Sequence, residues 1–384
     1  MYKFKDESMV VPMYVWSAKD SIEENAITQM KNVSSLQFAY HHTALMPDGH
    51  SGYGAPIGCV LATKGIIVPF LVGVDIGCGM IAVKTTLREI DTDTIKSIMG
   101  KTREVIPVGF NHQTSEQTWE GFSESPNVSI IQRELVSSKK QLGTLGGGNH
   151  FIEIQKGDDG YIWLMIHSGS RNFGLKTASE YHKKAQALCE RWNSNIPDKE
   201  LSFLPIETDE GHQYFDAMNY CLRFAQANRA LMMSRLCEIV NKATGADKLD
   251  EINIHHNYAV FENHYGKDVL IHRKGATKAN IGLRGIIPGS MGTSSYIVEG
   301  LGNEESFQSC SHGAGRRMGR GEATRTLNLE EEQKKMAGIV HGLRTSRELD
   351  EAPGSYKPID EVMKNQEDLT HILVKLTPLG NIKG

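Results

Sequence analysis

Residues 68–86 read VPFLVGVDIGCGMIAVKTT, and the organisation of the chain follows from how this stretch is parsed. Two apolar runs, Val68–Val74 and Met80–Thr86, flank the turn Asp75-Ile-Gly-Cys-Gly, a pattern that predicts strand, tight turn and strand. Phe151–Gln155 with Tyr161–His167 reads as a second strand pair, and Ile252–Phe261 with Val269–Arg273 as a third. Helical periodicity is clearest over Leu175–Trp192 and over Gln213–Lys242, where Phe215, Met218, Leu222, Phe224, Ala225, Leu231, Met232, Leu236 and Ile239 line one stripe. A third helix is expected over Leu329–Leu343. These helices read as scaffold, whereas glycine and histidine gather in the strand–loop–strand segments. The expectation is an α+β fold with its chemistry on loops at strand ends.

Composition narrows the classes. Apolar residues at 39% and charged residues at 23% describe an ordinary globular protein. With 42 basic and 46 acidic side chains the formal charge is −4, so any nucleic acid must meet a local basic groove rather than a generally positive surface. The first 16 residues hold no apolar core of signal-peptide length, and the apolar stretch Gly65–Val74 contains a proline and is far shorter than the ~20 residues of a spanning helix. The six cysteines show no short paired spacing and read as reduced thiols or ligands. A cytoplasmic protein without a membrane partner is expected.

Glycine clusters at Gly49–Gly58, Gly73–Gly79, Gly143–Gly148, Gly285–Gly292 and Gly313–Gly319, marking backbone that bends sharply or approaches a ligand. Asp75 and Cys78 share one turn, and His150, His167 and His256 each fall at a strand end beside glycine or polar residues. Carboxylate, thiolate and imidazole together suit Mn, Fe, Co or Zn better than Mg or Ca. Taken singly, each histidine is as readily a satisfied polar group at a strand end. His312 stands in Ser311-His-Gly-Ala-Gly-Arg-Arg-Met-Gly-Arg, where free backbone amides and Arg316, Arg317 and Arg320 would cradle phosphate. It is either a general acid or nucleophile, or a bystander in a phosphate loop. The segment His272-Arg-Lys-Gly-Ala-Thr suits an anion, and Pro288-Gly-Ser-Met-Gly-Thr-Ser-Ser-Tyr offers hydroxyls and amides to a nucleotide. A P-loop and a strand-linked GxGxxG are both missing, so a nucleotide would be held in another way.

The strings GVDIGCGM, QLGTLGGGNHFIEIQ, HSGSRNFG, HHNYA, HRKGAT, PGSMGTSSY, SHGAGRRMGR and LGNIKG, in this order, resemble the RtcB family of RNA ligases over nearly the whole chain. The resemblance implies a single domain, residues 1–384, with mixed and antiparallel sheets around a deep metal-containing cleft, flanked by long helices. It implies two manganese ions bridged by Cys78, with His167 and His256 completing one site and Asp75 and His150 the other. His312 would attack the α-phosphate of GTP to give a covalent guanylate. Asn149, Phe151, Glu153, Asn257, Ser290, Ser295, Tyr356 and Lys383 would form the guanosine pocket, with Pro288, Gly289, Met291, Gly313, Ala314 and Gly315 around it. The substrates would be RNA ends bearing a 3′-phosphate or 2′,3′-cyclic phosphate and a 5′-hydroxyl, and an activating protein is a further implied partner.

The chain departs from the family pattern at Gly319, where serine is usual, at Asn172, where glycine is usual, and in the loop MPDGHSGYGAPIGC. None of these removes a proposed ligand or the nucleophile; they fit a divergent paralogue with a specialised RNA target. Two other readings use the same residues. A dinuclear phosphoesterase or nuclease would activate water and need neither GTP nor His312, and a non-catalytic nucleotide- or RNA-binding relative would not require Cys78 or His312.

Overall fold

Residues 79–85 and 162–168 are apolar on both faces of a would-be strand, a pattern that forces cover on both sides. In the computed structural model, which describes residues 1–18 and 21–384, they form neighbouring strands of a seven-stranded antiparallel sheet. Its order is Lys248–His255, Gly79–Thr85, Ile162–Ser168, Phe151–Gly157, Thr370–Lys383, Ser295–Gly300 and Arg284–Ile287. Odd-numbered Ile81 and Val83 pack with Met232, Met233 and Leu236 of the helix Asp209–Thr244. Even-numbered Met80 and Ala82 pack on the opposite face with Met165, Ile286 and Ile297. A second, mixed sheet runs Tyr2–Phe4, Met13–Val15, Ala39–His50, Ile57–Thr63, Lys267–Lys274 and Asn257–His264, with one parallel pair between Met13–Val15 and Ala39–His50. The architecture is α+β, as expected.

Three expected elements differ. Val68–Val74 is not a strand: Pro69–Val72 is a short helix with the proline in its first turn, where its missing N–H costs nothing, and Gly73 at φ 95° ends it. The apolar run Ile252–Phe261 is two strands in two sheets, because the chain crosses between them at His256, whose N–H donates to Cys78 O. The third helix stops at Lys335, since Gly338 at φ 83° breaks it and Val340 then pairs with Gly380. The helix Asp209–Thr244 exceeds the expected Gln213–Lys242 at both ends, capped by the Thr208 hydroxyl and by left-handed Gly245. Asn172–Arg191 forms the helix expected at Leu175–Trp192. Among the described residues no helix is long and apolar enough to cross a membrane.

Candidate active site

The turn after Gly73 presents Asp75 and Cys78 between the two sheets, and its shape is set from behind by the long helix. Arg229, fully buried, donates to Gly77 O (2.9 Å) and Ser168 O (3.0 Å), and burial lowers its guanidinium to about 10. Asn228 accepts from Gly143 N (2.7 Å) and donates to Thr144 O and Gly169 O. The helix is therefore more than scaffold, contrary to its sequence reading. These two side chains tie down the carbonyls of three loops that carry the site.

Cys78, His150 and His167 bring one ligand atom each within 4.8 Å of one another. Cys78 Sγ lies 3.2 Å from His167 Nε2 and 3.4 Å from His150 Nε2. Beyond them, Asp75 Oδ2 is 3.1 Å from His150 Nε2, and His256 Nε2 is 3.4 Å from His167 Nε2. The thiol thus sits between an Asp75–His150 pair and a His167–His256 pair. Backbone carbonyls fix two of the rings: His150 Nδ1 faces Leu145 O (3.0 Å) and His167 Nδ1 faces Asn149 O (3.1 Å). Each keeps Nε2 turned inward as a lone-pair donor, the arrangement a metal-ligating histidine requires.

The electrostatics ask for a cation. Burial drives the Cys78 thiol well above its ordinary range, and the Asp75 charge pushes it further. Burial also holds the imidazoles of His167 and His256 well below theirs, which keeps them neutral and able to serve as ligands. Burial acts upward on Asp75, yet its contacts with His150 and Cys78 and the nearby Arg171 together leave the carboxyl below its usual range. Ligand bonds of about 2.1 Å to nitrogen and about 2.3 Å to sulfur put S and N about 3.6 Å apart around a tetrahedral ion, close to the spacings present. The residues fit a divalent, sulfur-tolerant metal.

A cavity of about 390 Å³ opens on this cluster. Asp75, Cys78, His167 and His256 form part of its wall, while His150 lies behind them. His312 faces the same space: its ring is 4.8 Å from that of His256, and its Nδ1 meets Asp48 Oδ2 at 2.5 Å. Asp48 is fully buried and also accepts from His312 N (3.1 Å). Asn149, Phe151, Glu153, Asn257, Pro288, Gly289, Ser290, Met291, Gly313, Ala314, Gly315, Tyr356 and Lys383 all line the cavity. Ser295 does not; its hydroxyl accepts from Gln155 Nε2 and Gly289 N behind the wall. Burial pushes the Glu153 carboxyl up to about 7, against the pull of Asn381, Lys383 and Gln155.

The arginine cradle is built differently from its sequence reading. Arg316 and Arg320 line the cavity but are already paired with Glu351 (3.1 and 2.8 Å), which also holds Lys383 (3.2 Å) and Tyr356 OH. Arg317 turns away and donates to Gly354 O. In the segment His272–Thr277 only Lys274 and Gly275 reach the cavity, since Arg273 is consumed by Glu262 and the His272 ring accepts from Val68 N. Asp48, Asn228, Arg229 and Glu351 were missed. Asp48 alone carried a signal, standing beside the first glycine cluster.

The sequence model of the tRNA-splicing ligase RtcB family matches residues 29–133 and 119–384. RNA-splicing ligase RtcB of Escherichia coli K12 is 36% identical over 401 residues, covering 97% of each chain. The tRNA-splicing ligase RtcB of Thermococcus kodakarensis is 32% identical over 462 residues, with 99% of this chain and 96% of that protein covered. That of Methanococcus maripaludis is 32% identical, with 95% and 92% covered.

Proposed function

Because this chain belongs to the RtcB family of RNA-splicing ligases, we propose that it joins an RNA 3′-phosphate or 2′,3′-cyclic phosphate end to a 5′-hydroxyl end, using GTP and two manganese ions. The observation that carries the nucleotide step is the Asp48–His312 contact. A buried carboxylate on Nδ1 fixes the proton there and leaves Nε2 with its lone pair toward the cavity. As Nε2 bonds to the α-phosphorus, the bond to pyrophosphate breaks, and Asp48 stabilises the positive charge that develops on the ring. A 2′,3′-cyclic phosphate is first hydrolysed, water adding to phosphorus as the bond to O2′ breaks. The guanylate then passes from His312 to the RNA 3′-phosphate, a 5′-hydroxyl displaces GMP and the strand is closed.

Cys78 between its two ligand pairs supports a two-ion site, in which the metals would neutralise phosphate charge and orient the in-line attack. Glu153 and Lys383, which line the cavity, would meet the guanine edge, with Phe151 and Tyr356 as walls. We read residues 1–384 as one ligase domain, since the cavity wall draws on both sheets, and cytoplasmic, with an activating protein as a further partner.

The test is incubation of the purified protein with α-labelled GTP and Mn²⁺, followed by denaturing electrophoresis. An acid-labile, alkali-stable label that disappears in His312→Ala supports the reading. Metal-loaded protein that never takes label but hydrolyses phosphodiesters would replace it with the phosphoesterase alternative.

A further inference from the structure

The cavity has a further wall outside the residues proposed for guanosine. It is built by Ser51, Gly52 and Tyr53, by Phe70 of the short helix and by Lys274 at the end of its strand. Tyr53 stands there 71% exposed, and its ring packs against no other aromatic ring among the described residues. An aromatic ring held out at the mouth of a phosphate-handling cavity offers its face to a base.

The backbone beneath this ring is fixed. Lys274 Nζ donates to Tyr53 O (2.5 Å), and Gln29 bonds both the carbonyl and the N–H of Gly52 (2.5 and 3.1 Å). Gly54, at φ 70°, lies so close to Glu200 that a Cβ would meet the Glu200 Cβ at 2.7 Å. The ring is therefore mounted on a rigid support rather than a loose loop, which lowers the ordering cost of stacking.

Charge agrees with an anionic strand. The lining residues Ser51, Gly52, Tyr53, Phe70 and Lys274 carry no carboxylate of their own, with Glu23 accepting from the Ser51 hydroxyl (2.5 Å) and Glu200 lying against Gly54, so the cation on this wall is Lys274. Lys274 is buried and forms no ion pair among the described residues, and its ammonium has further N–H groups to offer a phosphate while it holds the Tyr53 carbonyl. The side also abuts the nucleophile, since a Cβ on Gly275 would stand 3.2 Å from His312 Cε1.

We propose that Tyr53 seats the terminal base of the RNA strand that carries the 3′-phosphate, stacking on it while the backbone lies along Lys274. The inference rests on the ligase reading above, in which the 3′-phosphate must lie beside His312 to receive GMP. Stacking reads the face of a base and not its edge, so the site tolerates any base.

The experiment uses a short RNA with 2-aminopurine as its 3′-terminal, 3′-phosphorylated nucleotide, bound with Mn²⁺ and without GTP. Binding quenches the probe on wild type and on Tyr53→Phe. In Tyr53→Ala, with an unchanged melting temperature, the quenching is lost and affinity falls about tenfold. A Tyr53→Ala protein that binds within twofold and quenches equally overturns the proposal, as does quenching seen only when the probe is at a 5′-hydroxyl end. Wild-type guanylylation without RNA is read separately; if it fails, the His312 reading falls while the probe still reports on the stack.

Discussion

Replacing Glu153 with glutamine should change how GTP binding depends on pH. The carboxyl titrates at about 7 because burial resists its charge. A guanine edge presents N–H donors, which the carboxylate accepts and the protonated acid cannot accept equally. Binding therefore selects the ionised form, and the apparent Kd is the intrinsic value divided by the ionised fraction. That fraction is about 0.1 at pH 6 and about 0.9 at pH 8 for a group titrating at about 7, so the wild-type Kd should tighten about tenfold between them. Glu153→Gln keeps the shape but loses the charge, and hydrogen bonds to a charged group contribute about 1.5–3 kcal/mol. At pH 8 the variant should bind GTP about 10- to 150-fold more weakly, with that part of the pH dependence gone. Isothermal titration in a His312→Ala background reads this without turnover; pH dependence arising from the GTP phosphates persists in both proteins and cancels in the comparison. The stability of the empty protein runs the other way. With the folded value raised above the unfolded one, the stabilising contribution is present at low pH and is lost as the pH rises through about 7. Glu153→Gln should accordingly melt higher than wild type at pH 8. A variant with unchanged affinity and an unchanged pH profile would refute the placement of guanine against Glu153.

Cys78→Ala removes the atom between the two ligand pairs, so metal content measured by mass spectrometry should fall by at least one ion per chain and joining should be abolished. Wild-type ligation by that variant would sink the metal assignment. Asp48→Asn cannot hold the Nδ1 proton in the same way, and label transfer from GTP should slow by about 10²–10⁴-fold in rapid-quench assays, with metal content unchanged. A rate within threefold of wild type would remove Asp48 from the mechanism. Arg229→Met withdraws the donor to Gly77 O and Ser168 O, and Mn²⁺ affinity should drop about 10- to 100-fold by competition with a chelator. Unchanged affinity would make Arg229 a purely structural residue.

The metal ligands were legible because each stands in a glycine-rich or polar turn at a strand end, a local pattern that periodicity does not explain away. Their mutual approach was not, since Asp75, His150 and His256 sit on three different connections and His167 near the end of the strand Ile162–Ser168, which only the fold brings together. Asp48 and Glu351 carry no special spacing, and their importance lies in what the fold sets beside them: an imidazole in one case, two guanidiniums and an ammonium in the other. Arg229 and Asn228 fall on the buried face of a helix whose apolar stripe hides them, because a stripe of that width tolerates two polar residues that find all their partners. The division at His256 was invisible for a simpler reason. A run of strand-forming residues has the same periodicity whether it stays in one sheet or crosses to another.

The strand Thr370–Lys383 lies between Phe151–Gly157 and Ser295–Gly300, in the middle of the seven-stranded sheet, although it comes later in the chain than its neighbours. During synthesis, then, the sheet waits as two separate ribbons, each with an open edge able to pair with the wrong partner. At about 5–20 residues per second the chain spends on the order of ten seconds between Phe151–Gly157 and Thr370, a long exposure for an uncovered edge. A message cut short between His312 and Thr370 would yield a protein holding every proposed metal ligand and the proposed nucleophile but lacking the closing strand. Such fragments should be clients of holding chaperones and proteases, so the enzyme's own yield depends on the integrity of the message that encodes it.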